Sequence, residues 1–254
     1  VDWANDPTTI GIVGQLINFS DPTASRLLQK ETPDMPLQLY GFWRSLAAYR
    51  VRAALHLKGL AFEEKPVNLL AGEQHDPEYL KINPQGAVPA LVVEGLSRPL
   101  FQSMAILDYL DQTHPNPPLM PAQAADRARV LALAHLCASD GHPLVVPRVR
   151  NYLQNTLKLD EGTRNTWLQH FTMQALLAYE RALTLDPRPG AYSHGDQVTV
   201  ADLCLASQVV GAKLFGCTDF SAVPQVMGIF DRLMKLSAFE TSLPQNQAGA
   251  PKNH

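Results

Sequence analysis

Apolar residues recur along this chain in two rhythms, and the chain divides where one gives way to the other. From Leu37 the segment LQLYGFW alternates and then turns aromatic, as a short buried strand does. Polar Arg44-Ser45 follows, and Ala47, Val51, Ala54, Leu55 and Leu60 then recur at helical spacing, with Gly59 after Lys58 as a stop signal. Residues 62–70 alternate as a second strand would, and a polar loop around Gly72-Glu73-Gln74 leads to a short segment ending at Ile82. Asn83-Pro84-Gln85-Gly86 is a turn signal, and residues 88–93 read as a third strand whose early proline suits an edge. Gly95 and Arg98-Pro99 mark a hairpin into Leu100-Phe101, and Gln102-Ser103 opens a helix carrying Ile106, Leu107 and Leu110. The order β-α-β-(α)-β-β-α predicts a compact α/β domain over residues 35–118.

His114-Pro115-Asn116-Pro117-Pro118 breaks that rhythm, and Pro121 prolongs the break. Beyond it the spacing predicts helices over 124–137, 144–157, 161–185, 199–215 and 223–236, with no sustained strand alternation. Residues 123–243 are therefore expected to form an all-α C-terminal domain, followed by a tail over 244–254. Residues 1–34 differ from both parts, with Asp6-Pro7 and Asp21-Pro22 punctuating them and no basic residue ahead of the apolar piece 10–19. They are expected to be a leader, non-native or disordered, with Met35 as the natural start; the alternative is a genuine extension that docks on the body.

Composition narrows the function classes. A formal net charge of −3 gives no general electrostatic reason to bind nucleic acid or an anionic membrane. Three widely spaced cysteines, Cys137, Cys204 and Cys217, make no CxxC pair and fit a reducing, cytoplasmic setting. The histidines show no metal-ligand spacing, and there is neither a GxGxxG after a strand nor a Walker loop.

Candidate chemistry gathers at helix starts. Ser45 sits where free backbone N–H groups and dipole favour an anion or a thiolate, although a serine there is in the first instance a cap. Gln102-Ser103 brings a hydroxyl, an amide and helix N–H groups together and would hold a carboxylate, with capping by Ser103 as the plainer reading. Val88-Pro89 is expected to be trans by frequency, whereas a cis bond would turn the Val88 backbone outward to pair with an extended peptide. Thr199 and Asp202 have capping-box spacing. His142 is placed beside the cleft between domains. Arg44, Arg50, Arg52, Arg148 and Arg150 are candidate anion ligands, with structural ion pairs on the first helix as the plainer reading of Arg50 and Arg52.

Four segments, FWRSLAAYRVRAALHLKGL, NPQGAVPAL, QSMAILDYL and GDQVTVADLCLASQV, together resemble the zeta-class glutathione transferases and their maleylacetoacetate and maleylpyruvate isomerases. The resemblance covers residues 36 to about 243. It implies the glutathione transferase fold, with an α/β thioredoxin-like N-terminal domain and an all-α C-terminal domain. It also implies a homodimer, glutathione as cofactor and a cis Val88-Pro89 bond. Matched position by position, Ser45 supports the glutathione thiolate, and Gln74 and the Val88 backbone hold the tripeptide. Gln102 and Ser103 bind its γ-glutamyl end, His142 and Arg148 line the site from the second domain, and Arg44 helps hold a substrate carboxylate. The implied reaction is thiolate addition to the cis double bond of a maleyl acid, rotation, and elimination of the fumaryl isomer.

The sequence also departs from the family. Ser45-Leu46-Ala47 replaces the usual Ser-Ser-Cys, Val145-Val146 stands where relatives often carry asparagines, and Leu214 occupies the place of an arginine. These changes predict a more apolar pocket. They keep two alternatives open, a transferase acting on a more apolar electrophile and a non-catalytic glutathione-binding homologue. Reductive dehalogenation is disfavoured by the missing cysteine.

Overall fold

The structure, a computed structural model, describes residues 37–251 apart from Pro189. The expectation for residues 1–34 therefore lies outside the described residues. Strand β1 (Leu37–Gly41) leads through helix α1 (Leu46–Leu57) to a parallel partner β2 (Phe62–Pro66). Helix α2 (Pro77–Ile82) precedes β3 (Ala90–Val92) and β4 (Leu100–Phe101), both antiparallel, and α3 (Ser103–Thr113) follows. Among the described residues the sheet order is β2-β1-β3-β4.

Two expected strands come out shorter, for local reasons. Instead of running to 70, β2 stops at Pro66: the Asn68 Oδ1 accepts the Leu70 and Ala71 N–H groups, and Glu73 takes the Asn68 N–H, so a turn claims the backbone. Instead of starting at 88, β3 starts at Ala90. Pro89 has no N–H to offer a ladder, and the Tyr79 hydroxyl and Asn83 amide both donate to the Ala87 carbonyl at 2.6 Å, fixing the approach as a turn. The Val88–Pro89 peptide is cis, as the resemblance implied, and so is Asn116–Pro117.

Helices make up the rest: α4 (Ala124–His135), α5 (Pro147–Asn155), α6 (Glu161–Leu185), α7 (Val200–Leu214), α8 (Pro224–Leu233) and α9 (Ser237–Thr241). A wide π turn over Leu136–Gly141 and a 3-10 turn over His142–Leu144 replace the expected end of the 124–137 helix and the start of the next one. Pro147 at the first turn sets where α5 begins, since it lacks an N–H to bond backwards. After α9, the Asn246 and Gln247 side chains donate to carbonyls of Glu240, Thr241 and Leu243, tying residues 244–247 to the body.

Helix α7 is buried on every side from Val200 to Ala212 and packs against α1, α4, α6 and α8. Its start is fixed by a capping box in which Asp202 accepts the Thr199 N–H at 2.8 Å and the Thr199 hydroxyl at 2.9 Å. Asp202 also accepts the Ser193 N–H at 2.9 Å, and the Tyr179 hydroxyl donates to Ser193 Oγ at 2.7 Å, so one carboxylate joins α6, the loop and α7. Burial raises the Asp202 pKa, and the bonds from Ser193 and Thr199 pull against it. Where α1 meets α7, the Leu46 side chain fills a notch left by Gly211. A Cβ on that glycine would stand 2.5 Å from Leu46 Cδ1.

Candidate functional site

A cavity of about 610 Å³ opens between the sheet-bearing part and the helices, and all the candidate side chains reach it. Ser45, Arg44, Gln74, Val88, Gln102, Ser103, His142 and Arg148 line one wall or another. Loops and helix starts supply them: Arg44 and Ser45 before α1, Gln74 from the 3-10 turn Glu73–His75, Val88 before β3, and Gln102-Ser103 at the start of α3.

Ser45 is the N-cap of α1, and its Oγ accepts the Ala48 N–H at 3.2 Å. That bond uses a lone pair and leaves the hydroxyl hydrogen free to donate. The N–H groups of Leu46 and Ala47 lie in the first turn, where no intrahelical carbonyl precedes them. A soft anion at this point meets a hydroxyl donor, open amides and the positive end of a helix together.

The floor is set by Arg50, which is only 1% exposed. Among the described residues the expected ion pair is not there: its Nε donates to Ser207 Oγ at 2.7 Å and its Nη1 to Ser103 Oγ at 3.3 Å, while its Nη2 is buried with no partner among them. The residue faces inward to α3 and α7 rather than along its own helix, which spacing alone does not reveal. Arg52 does pair as expected, with Glu64 at 2.6 Å, and Gly41 leaves room for that pair because a Cβ there would meet Glu64 at 2.9 Å.

Ser103 thus accepts from Arg50 and keeps its own hydrogen to give. Beside it Gln102 adopts φ of 69°, and its side-chain amide donates to Gln85 Oε1 at 2.7 Å. The Gln74 Oε1 is buried without a donor. Gly86 lets this loop close, since a Cβ there would sit 3.1 Å from His75 Nδ1 and 3.2 Å from the Gln74 carbonyl, at a φ of +62°. Val88 stands outside the strand ladder, with its backbone along the cavity wall.

From the helical side come His142, Arg148 and Arg150. Burial first, and then the charges of Arg50, Arg148 and Arg150, hold the His142 pKa well below its ordinary value, so its imidazole is neutral near pH 7. Arg150 lies over the Phe215 ring at 5.9 Å, with its Nε buried and unpartnered. Leu214 and Phe215 end α7 at the cavity, while Lys213 turns away to the Phe230 ring at 4.4 Å. Arg44, Arg50, Arg148 and Arg150 face the cavity, and no Asp or Glu does among the described residues. Such a wall takes anions.

Sequence reasoning gave no role to His75, Gln85, His135 or Ser139, which also line the cavity. His135 Nδ1 lies 2.6 Å from Ser139 Oγ, an i,i+4 pairing that a helical reading contains but does not single out. Among the described residues no cluster of His, Cys, Asp or Glu is placed to hold a metal, and no helix is long and apolar enough to cross a membrane.

A tripeptide with two carboxylates, an ammonium and a thiol fits these groups. Ser103 and the α3 start suit one carboxylate, the open Gln74 oxygen suits an N–H donor, the Val88 backbone suits a peptide edge, and Ser45 suits the sulfur. Comparison with known proteins agrees. Residues 35–112 match the glutathione S-transferase N-terminal domain family. The chain is 42% identical over 210 residues to a maleylacetoacetate isomerase of Rhizobium meliloti, spanning 81% of this chain and 95% of that protein. It superposes on a maleylacetoacetate isomerase from Methylobacterium extorquens, solved with malonate and glutathione, with a TM-score of 0.81 and 45% identity, covering 85% of this chain and 100% of that one. A holo maleylpyruvate isomerase described as a bacterial zeta-class glutathione S-transferase gives a TM-score of 0.80 at 37% identity, covering 84% and 100%.

Proposed function

The chain belongs to the zeta-class glutathione transferases, and from that membership we propose that it is a glutathione-dependent cis-trans isomerase of a maleyl acid, maleylpyruvate or maleylacetoacetate. The observation that carries this reading is the cavity wall, which offers four arginines and, among the described residues, no carboxylate. Glutathione brings net negative charge and the substrate brings two carboxylates, so the ligands supply the anions that the wall lacks. Bound glutathione supplies a thiol that adds reversibly to the double bond and allows it to rotate. Ser45 holds the sulfur as its anion through the hydroxyl hydrogen left free by the Ala48 bond. Gln74, Val88, Gln102 and Ser103 orient the tripeptide, and Arg50 fixes the Ser103 hydroxyl from beneath. Arg44 and Arg148 face the substrate's carboxylates and the negative charge that builds between them during rotation. His142 lines the same wall as an uncharged donor or acceptor.

Residues 35–118 then serve as the glutathione-binding domain and 123–243 as the helical one, in a cytoplasmic homodimer; three free cysteines, two of them buried, are in keeping with a reducing compartment. A second reading, a transferase for a more apolar electrophile, draws on Val145, Val146 and Leu214 in the same lining. The test is to measure glutathione affinity and then maleylpyruvate and maleylacetoacetate loss with and without glutathione. Glutathione-dependent conversion is expected. Binding without turnover of either acid overturns the isomerase, and no binding overturns both enzyme readings.

A further inference from the structure

Two cavities meet at one pair of arginines. Beside the larger cavity lies a second of about 320 Å³, and Phe42, Arg44, Leu69, Pro147, Arg150 and Asn151 face both. The rest of the second is mixed, with Gln154 on α5, Glu161, Arg164 and Asn165 on α6, and Trp43, Leu70 and Leu168 beside them. Arg150 borders both cavities. It stacks over Phe215, its Nε is buried and unpartnered, and it makes no ion pair among the described residues. Burial and the charge of Arg44 both lower its pKa, so the two like charges lie within electrostatic reach of each other. A carboxylate bound between them would meet both charges and fill the open donors.

We propose that Arg44 and Arg150 form a carboxylate seat at the junction of the two cavities, so that the site selects elongated dianionic substrates. The reacting carbons lie on the Ser45 side, and the far carboxylate reaches Arg150 at the mouth of the second cavity. The seat deepens the isomerase reading by setting substrate length, and it rests on that reading for the reaction alone. Arg148 faces only the larger cavity, so it serves the nearer carboxylate whatever the length.

Saturated dicarboxylates test the seat without turnover. The glutathione-loaded protein is titrated by calorimetry with succinate and with the longer adipate, as wild type, Arg150→Leu and Arg150→Lys. Adipate affinity is expected to fall about tenfold or more in Arg150→Leu and to recover in part in Arg150→Lys. Succinate is expected to change by less than about threefold. Arg150→Gln replaces the leucine variant if that one does not fold, and the free protein is titrated if glutathione does not load. Equal adipate affinity in wild type and the folded neutral variant overturns the seat, as does failure of adipate to bind the wild type. A protein that holds adipate through Arg150 yet converts no maleyl acid keeps the seat and loses the isomerase reading.

Discussion

Ser45 carries two duties that substitution can separate. As an N-cap it accepts one backbone N–H, and as a donor it offers its hydroxyl hydrogen to a sulfur. Ser45→Ala removes both, so turnover is expected to fall at least about tenfold, some 1.4 kcal/mol of barrier, alongside a stability loss of about 1 kcal/mol. Ser45→Asp keeps a capping oxygen and has no hydrogen to donate. Its urea midpoint is expected to stay near wild type while turnover remains low; near-full activity in that variant would leave the serine a cap and nothing more. The sequence made this residue legible because a polar pair between a strand and a helical rhythm marks a helix start. It did not make Arg50 legible. An arginine inside a helix reads as a surface partner, and only packing shows that its guanidinium passes inward to Ser103 and Ser207.

At the level of elements, α7 is the piece on which the helical half depends, and Asp202 fixes its start. The spacing of Thr199 and Asp202 revealed the capping box. It could not reveal the third bond to Ser193 or the Tyr179 link behind it, since both come from chain brought near by folding. Losing three accepted hydrogen bonds at a fully buried carboxylate costs more than a cap alone. Asp202→Ala is expected to destabilise the protein by about 3 kcal/mol, read from urea unfolding, and a change below about 0.5 kcal/mol would show the network to be replaceable. Strand ends were misread because the side-chain turn at Asn68 and the hold on Ala87 compete with the ladder through bonds that alternation does not encode.

For the molecule as a whole, the sequence shows a near-neutral chain, with a formal charge of −3, and hides a concentrated positive site. Four arginines from two segments, Arg44 and Arg50 around α1 and Arg148 and Arg150 on α5, face one cavity, and among the described residues no Asp or Glu does. Binding of a dianion should therefore be sensitive to salt even though the overall charge suggests otherwise. Raising salt from about 0.02 to about 0.5 M shortens the screening length several-fold. KM for the maleyl acid is expected to rise severalfold over that range while kcat moves little. A flat KM would mean that the arginines act through short hydrogen bonds alone.

The contact between Leu46 and Gly211 bears on how such a site changes over time. The leucine stands where the family resemblance places a second serine, and it fills a notch that exists because α7 has no side chain at 211. Returning a serine to 46 would empty that notch, and enlarging 211 first would press on the leucine. Either step alone meets a packing defect at the junction of α1 and α7. The two positions are coupled: residue 46 can shrink, or residue 211 gain a side chain, without a packing defect beside Ser45 only if the other changes with it.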